Sequence, residues 1–257
     1  ETMFIMMNAA RFAVGLEGVA ISERAFQRAL AFAKERVQGR DLVQGGKSVP
    51  IIRHPDVRRM LMLMKSQTEA MRALAYTTAA ALDFSHKTKD KQSQAFVDLM
   101  IPVVKGWCTE TGIEVASLGV QVHGGMGFIE ETGAAQYLRD ARITTIYEGT
   151  TGIQANDLIG RKVAFEKGAT ALAVIQAMRQ ADAPLGAGGE TLASLRASLK
   201  EAVDSLDGAT RWLVENYSKD PKAASGVSVP YLKLFGTVAG GWMMARAALV
   251  AQAKLRD

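Results

Sequence analysis

The sequence predicts an all-α protein, an antiparallel four-helix bundle with an additional C-terminal helical extension. Three observations carry that expectation. Only 6 prolines occur in 257 residues, alanines and leucines are abundant, and β-branched runs are short, a composition that favours helix. Apolar residues recur at three- to five-residue and sevenfold spacings over long segments. Short breaks join those segments, the connectivity of an antiparallel bundle.

The first helix is expected over residues 3–37, where Phe4, Met7, Val14, Ile21, Phe26, Leu30, Ala33 and Val37 repeat with helical spacing. Gly15 and Gly18 weaken it unless a neighbour packs very close, so the bundle should be tight. Gly45, Gly46 and Pro50 break the pattern. A second helix starts near Pro55, a residue favoured in a first turn. It runs to about Phe84 through Val57, Leu61, Met64, Met71, Leu74 and Leu82. The polar stretch 85–93 reads as a loop. A third helix covers 94–119 with Phe96, Leu99, Val103, Trp107, Val115 and Leu118, and Pro102 either kinks it or begins its second part.

A short helix is expected near 134–141, then a connector over 143–147. Thr150 or Thr151 then N-caps a helix from about 152 to 180. Residues 182–189, DAPLGAGG, form the clearest break, and helices near 191–218 and 230–254 follow. Strands are essentially absent from this reading. The twelve methionines, Met3, Met6, Met7, Met60, Met62, Met64 and Met71 among them, are read as core filling. Trp107, Trp212 and Trp242 are read as core anchors.

Bulk properties exclude several classes. The single cysteine, Cys108, forbids an internal disulfide and fits a reducing, cytoplasmic location. The three histidines (54, 86 and 123) are too scattered to suggest a metal site, and His86 is expected to be exposed in a charged loop. No run of 18 uninterrupted apolar residues suggests a membrane span. The start, Glu1-Thr2-Met3-Phe4, enters in mid-pattern and reads as a cut from something longer. The formal charge of +5 is concentrated in residues 34–72, where nine Lys or Arg face four acids. That patch is either a solvated helix face or a site for phosphates. No aromatic residues interleave with it, so nucleic acid is not an expected partner.

Residues 121–154 depart from helical periodicity. A polar, glycine-bearing turn (Gln121, His123, Gly124, Gly125, Gly127) is followed by Arg139 and Asp140. Glu148 then stands between Tyr147 and Gly149, just before a new helix. Such segments suit backbone that must approach a ligand closely. The helix dipole favours the Glu148 carboxylate, whereas burial among Ile146, Tyr147 and an apolar ligand opposes it. A carboxylate so balanced can act as a base, although an ordinary helix-capping acid has the same pattern. The glycine turn either ends a helix in a left-handed cap or cradles a pyrophosphate.

The string Gln121-Val122-His123-Gly124-Gly125-Met126-Gly127-Phe128 is followed by Arg139-Asp140-Ala141-Arg142. After it come Ile146-Tyr147-Glu148-Gly149-Thr150 and Gly152-Ile153-Gln154. In order and spacing these strings resemble the C-terminal helical domain of acyl-CoA dehydrogenases. Glu35-Arg36-Val37-Gln38-Gly39 resembles that family's Glu-Arg-x-x-Phe-Gly stretch. The resemblance covers about residues 1–163. Residues 164–257 exceed the common family length and resemble large bacterial members, a group that includes enzymes acting on 3-methylmercaptopropionyl-CoA.

The resemblance implies an FAD-dependent oxidoreductase of fatty acid metabolism. It would oxidise acyl-CoA thioesters to trans-2-enoyl-CoA and pass electrons to an electron-transfer flavoprotein. It makes Glu148 the base that removes the α-proton. Gln121, Val122, His123, Gly124 and Gly125 match the segment that meets the flavin dinucleotide of a neighbouring subunit. Arg36, Gln38 and His54 match positions near its phosphates, and Gly149, Thr150 and Thr151 also touch flavin. Asn8, Arg11, Tyr147 and Gly149 match substrate positions. A homodimer or homotetramer is implied.

Departures from the family pattern are Asn8 for an aspartate, Gln38 for a threonine-like residue, a missing aromatic beside Gly39, and an insertion near 45–49. The family's N-terminal helical and β domains have no counterpart in this sequence, so the chain by itself is expected to be colourless and inactive. An acyl-CoA oxidase and a non-catalytic helical interaction module are the alternatives.

Overall fold

Two surfaces of small residues bring the first and third helices together. The structure, a computed structural model, describes residues 2–43 and 45–255, with side chains from Met6 onward. The side chains of Met3 and Phe4 therefore lie outside the described residues. Helix α1 spans Thr2–Glu35, a hairpin of β1 (Val37–Asp41) and β2 (Gly45–Pro50) follows, and helices α2 (Pro55–Thr88) and α3 (Lys91–His123) complete an up-down-up arrangement. On α1, Gly15, Gly18, Ser22, Ala25, Ala29 and Ala33 are buried, the narrow stripe that the glycines foretold. A Cβ at Gly18 would stand 2.6 Å from the Cys108 carbonyl oxygen, and one at Gly15 would stand 2.7 Å from Val104 Cγ1. Gly112 answers from α3, where a Cβ would lie 3.2 Å from the Gly18 carbonyl oxygen. Cys108 is fully buried under this contact, and burial pushes its thiol pKa up.

The hairpin corrects the reading of 37–50 as a mere break. Val37 pairs with Pro50, Arg40 with Ser48 and Asp41 with Gly45. Left-handed Gly39, Gly45 and Gly46 (φ 73°, 61° and 79°) bend it, so glycines that break a helix here build a short ribbon. The stretch 85–93 is also not a loop, since only Lys89 and Asp90 separate α2 from α3. Lys89 adopts φ 60° and closes α2 through its N–H to Ser85, and the Asp90 carboxylate accepts from Ser93 N at 2.7 Å to cap α3. The polar composition there marks the outer face of two helix ends. Pro102 lies inside an uninterrupted α3.

Beyond α3 come α4 (Gly125–Phe128) and α5 (Ala134–Thr144), which packs on α1 and α3. The expected helix 152–180 is three pieces: α6 (Thr151–Asp157), a π-helical segment (Leu158–Ala164), and α7 (Ala169–Arg179) after a turn with left-handed Lys167 and Gly168. Thr150 is the N-cap of α6, accepting from Ile153 N. The break at 182–189 holds a short helix, α8 (Asp182–Ala187). Then follow α9 (Glu190–Asn216), α10 (Pro221–Gly226) and α11 (Ser228–Lys254).

One apolar core runs from Met71, Leu74 and Trp107 through Ile159, Ile175 and Leu206 to Phe235 and Met243, so the extension and the bundle share an interior. Helix α11 is long and apolar enough to cross a membrane by length and composition, yet its Tyr231, Leu232, Phe235 and Val238 are buried against the rest of the fold. Gly236 and Gly240 seat it on the Trp107 indole, where an added Cβ would come within 2.1 and 2.5 Å. Trp107 is the anchor expected, but Trp212 is 42% exposed because it stands on the outer side of α9. Met64 and Met71 fill core, whereas Met6 and Met62 are exposed on the outer faces of their helices. His86 is exposed, on the last turn of α2.

Gly18→Ala is expected to cost about 1–3 kcal/mol in urea unfolding, since the methyl group meets main chain. Gly241→Ala, where nothing lies within 4 Å, should stabilise by up to about 1 kcal/mol. Equal effects at the two positions would contradict a backbone-limited α1–α3 contact.

Candidate active site

The bend between α5 and α6 presents Glu148. Two successive left-handed residues form it, Glu148 at φ 55° and Gly149 at φ 88°. The first is a conformation that costs a non-glycine residue on the order of 1 kcal/mol, so the surroundings must hold it. They do so by hydrogen bonds to main chain. Lys105 Nζ donates to the carbonyls of Thr144 at 2.8 Å and Gly149 at 2.7 Å. Gln154 Nε2 donates to the carbonyls of Glu148 and Gly149, both at 3.2 Å. Thr151 N donates to Thr145 O at 3.1 Å and closes the loop. Only glycine fits at 149, because a Cβ would stand 2.8 Å from Gln154 Nε2.

The Glu148 side chain is exposed and has no hydrogen-bond or ion-pair partner among the described residues. The N–H groups of Glu148 and Gly149 likewise donate to nothing among the described residues. The apolar cover expected over the carboxylate is not supplied by this chain, with Ile146 and Tyr147 45% and 37% exposed. Tyr147 donates its hydroxyl hydrogen bond to Glu17, and burial, then this bond, push its pKa up to about 12.

Lys105 is fully buried, and burial holds its pKa down at about 8 against the pull of Glu110, Glu148 and Glu17. The lysine was missed in the sequence, although a lone cation within the apolar run MIPVVKGW is the signal that marks it.

Arg11, expected to meet substrate, is buried and its Nη1 is bound to Asp157 at 3.0 Å. Asp157 also faces Arg161 at 3.6 Å. Arg11 is thus a tie between α1 and α6 rather than an open cation. Asn8 lines a cavity of about 280 Å³ with Phe12, Leu82, Val97 and Ile101. Thr150 is exposed, whereas the buried Thr151 hydroxyl is bound to Glu110.

The second expected group lies at the far end of α3. Gly124 (φ 61°) caps that helix, and Gly124 and Gly125 are exposed, with nothing within 4 Å of where a Cβ would stand. Gln121 is exposed beside them. Val122 and His123 point the other way, into the core. The His123 ring stacks on Phe32 at 4.4 Å, its Nδ1–H donates to Gly119 O at 2.7 Å, and burial holds its pKa below the usual value. Since Phe32 also receives the Arg36 N–H, the hairpin root stands next to this turn. The hairpin brings together Arg36 and Gln38, both exposed, with His54, whose Nε2–H donates to Gln38 O at 2.7 Å. Open glycine backbone beside a basic ribbon fits the phosphates of a dinucleotide. This cluster and the Lys105 bend are roughly 28 Å apart along α3 at the helical rise.

Residues 3–164 match the family described as "Acyl-CoA dehydrogenase, C-terminal domain". The chain belongs to that family. Residues 169–257 match "Acetyl-CoA dehydrogenase C-terminal like". Among curated relatives of this acyl-CoA dehydrogenase domain, a 3-methylmercaptopropionyl-CoA dehydrogenase of Ruegeria pomeroyi is 48% identical over 257 residues, covering 98% of this chain and 44% of that protein. Solved structures share the fold, two of them acyl-CoA or FAD complexes. ACDH-11 of Caenorhabditis elegans in complex with C11-CoA has a TM-score of 0.72 at 21% identity, covering 95% of this chain and 40% of that one. An acyl-CoA dehydrogenase from Bacillus anthracis complexed with FAD has a TM-score of 0.70 at 22% identity, covering 93% and 42%. The chain thus spans less than half the length of these relatives. Among the described residues no cluster of three or more His, Cys, Asp or Glu could hold a metal.

The depressed lysine gives a pH dependence with a definite sign. Between about pH 8 and 10.5 the unfolded chain holds a proton at position 105 that the folded chain has released, so stability rises with pH there. The unfolding free energy of the wild type minus that of Lys105→Met should climb across this window, by at most about 3 kcal/mol. A flat difference would contradict a buried, desolvated ammonium.

Separately, Asp157→Ala leaves Arg11 buried without its partner and should cost about 3–5 kcal/mol. A loss below about 1 kcal/mol in urea unfolding would mean that the pair carries little.

Proposed function

We propose that this chain is the base-bearing part of an FAD-dependent acyl-CoA dehydrogenase that converts an acyl-CoA thioester to the trans-2-enoyl-CoA. The observation that carries this reading is the left-handed Glu148–Gly149 pair, which presents an unpaired carboxylate beside two unused N–H groups. Glu148 takes the proton from C2 of the thioester. The Glu148 N–H donates to the thioester carbonyl oxygen, where negative charge develops as that proton leaves. FAD, when bound, supplies the acceptor for the hydride that leaves C3, so that C2 and C3 end joined by a double bond. Tyr147, held by Glu17, gives the acyl chain one wall.

Arg36, Gln38, Gln121, Gly124 and Gly125 would hold the phosphate-bearing part of a dinucleotide through one exposed cation, two amide side chains and open backbone. The length of α3 between this cluster and Glu148 supports the two serving the reaction centres of different copies. The reading therefore includes a second copy that brings its own turn to this copy's cofactor, in a homodimer or a dimer of dimers. The electron acceptor in this reading is an electron-transfer flavoprotein.

In the complete flavoenzyme, Glu148→Gln keeps size and shape but removes the base. Steady-state turnover of an acyl-CoA panel with an artificial electron acceptor should fall by about 10²–10⁴-fold. Turnover at the wild-type level would remove the proposed mechanism. Sedimentation should return a dimer or tetramer, and a monomer with full activity would exclude the shared cofactor site.

A further inference from the structure

We propose that Lys105 is the positioning residue of the Glu148 bend, a buried cation whose two main-chain bonds aim the carboxylate. The proposal rests on the reading of Glu148 as the base. Its ground is geometric. The two carbonyls that Lys105 binds, those of Thr144 and Gly149, lie on either side of Glu148, so one side chain bridges both arms of the bend. The carbonyl of Thr144 belongs to the last turn of α5, where helical carbonyls lack intrahelical partners and a cation is favoured. Had Lys105 only closed that helix, the bond to Gly149 would be unnecessary. Instead the ammonium reaches across to the second left-handed residue, the one on which Gln154 also converges.

The surroundings agree. Lys105 has no carboxylate within ion-pairing distance among the described residues, so its charge is spent on carbonyl dipoles. The charged groups that face it are Glu110 on its own helix, Arg11 and Glu17 on α1, and Glu148 on the bend. A buried, unpaired ammonium is a costly choice for structure alone, and a neutral side chain of similar length would fill the space. What methionine cannot do is donate to two carbonyls at once.

The test compares Lys105→Met and Glu148→Gln with wild type in the complete flavoenzyme, reading kcat and KM for an acyl-CoA thioester. Amide exchange is read alongside, without substrate. Lys105→Met should lower kcat by about 100-fold while KM moves less than about threefold, because the carboxylate and the Glu148 N–H that the substitution displaces act on the charge that develops as the proton leaves. Exchange should quicken at residues 145–151 and keep wild-type rates in α9. A kcat near wild type, or exchange quickened equally in α9, overturns the proposal.

Should the methionine variant fail to fold, Lys105→Arg is measured in its place and read by whether exchange at the bend and turnover change together. Faster exchange at the bend with lost turnover supports the proposal, as does full retention of both, which is rescue by the conserved charge. Faster exchange with wild-type kcat overturns it. If Glu148→Gln turns over normally, the base assignment falls, and exchange in the methionine variant still shows whether Lys105 holds the bend.

Discussion

The close approach of α1 to α3 is the constraint on which the rest of the structure depends. Gly15 and Gly18 let the backbone of α1 settle against the carbonyls of Val104 and Cys108, and Gly112 returns the contact from the other side. Glycine in a helix interior costs up to about 1 kcal/mol relative to alanine, so three of them on facing surfaces mark a distance that larger residues would not permit. With α1 and α3 at this spacing, the flank of α3 that carries Lys105 and Glu110 comes under the α5–α6 bend. Arg11 then meets Asp157, and Tyr147 reaches Glu17. The elements that fix Glu148 are therefore consequences of how closely this helix pair packs.

Much of this was legible in the sequence, for identifiable reasons. Long helices with one apolar face announce themselves by period, which is why α1, α2, α3, α9 and α11 fall close to where they are expected. Glycines in α1 foretold tight packing. Polarity misled at 85–93, because Ser85, Thr88 and Asp90 bond to nearby main chain and finish helices rather than interrupting them. The hairpin was hidden because its strands are almost wholly exposed and carry no alternation of apolar residues. The break inside 152–180 was hidden because a π segment keeps the apolar spacing while changing the bond pattern.

At the site, the directions of side chains were not readable in the sequence. Glu148 and Gly149 stand where a ligand can reach them, whereas Val122, His123, Arg11 and Thr151 turn inward to partners that no linear pattern reveals. The partner of Arg11 is on α6, and the ring under His123 is on α1. Lys105 and Gln154 show the reverse case. Lys105 shows in the sequence only as a lone cation in an apolar run and Gln154 only as one member of a motif string, and the fold shows that both aim at the same carbonyl.

Cys108, sealed beneath Gly18 with its thiol kept protonated by burial, is the sole cysteine of the sequence. A reactive thiol must be ionised and accessible, and this one is neither. The chain therefore offers an almost silent background for sulfhydryl chemistry. A fluorophore or spin label attached through a cysteine introduced on the hairpin or beside the bend would report from that point alone, with the native residue left in place.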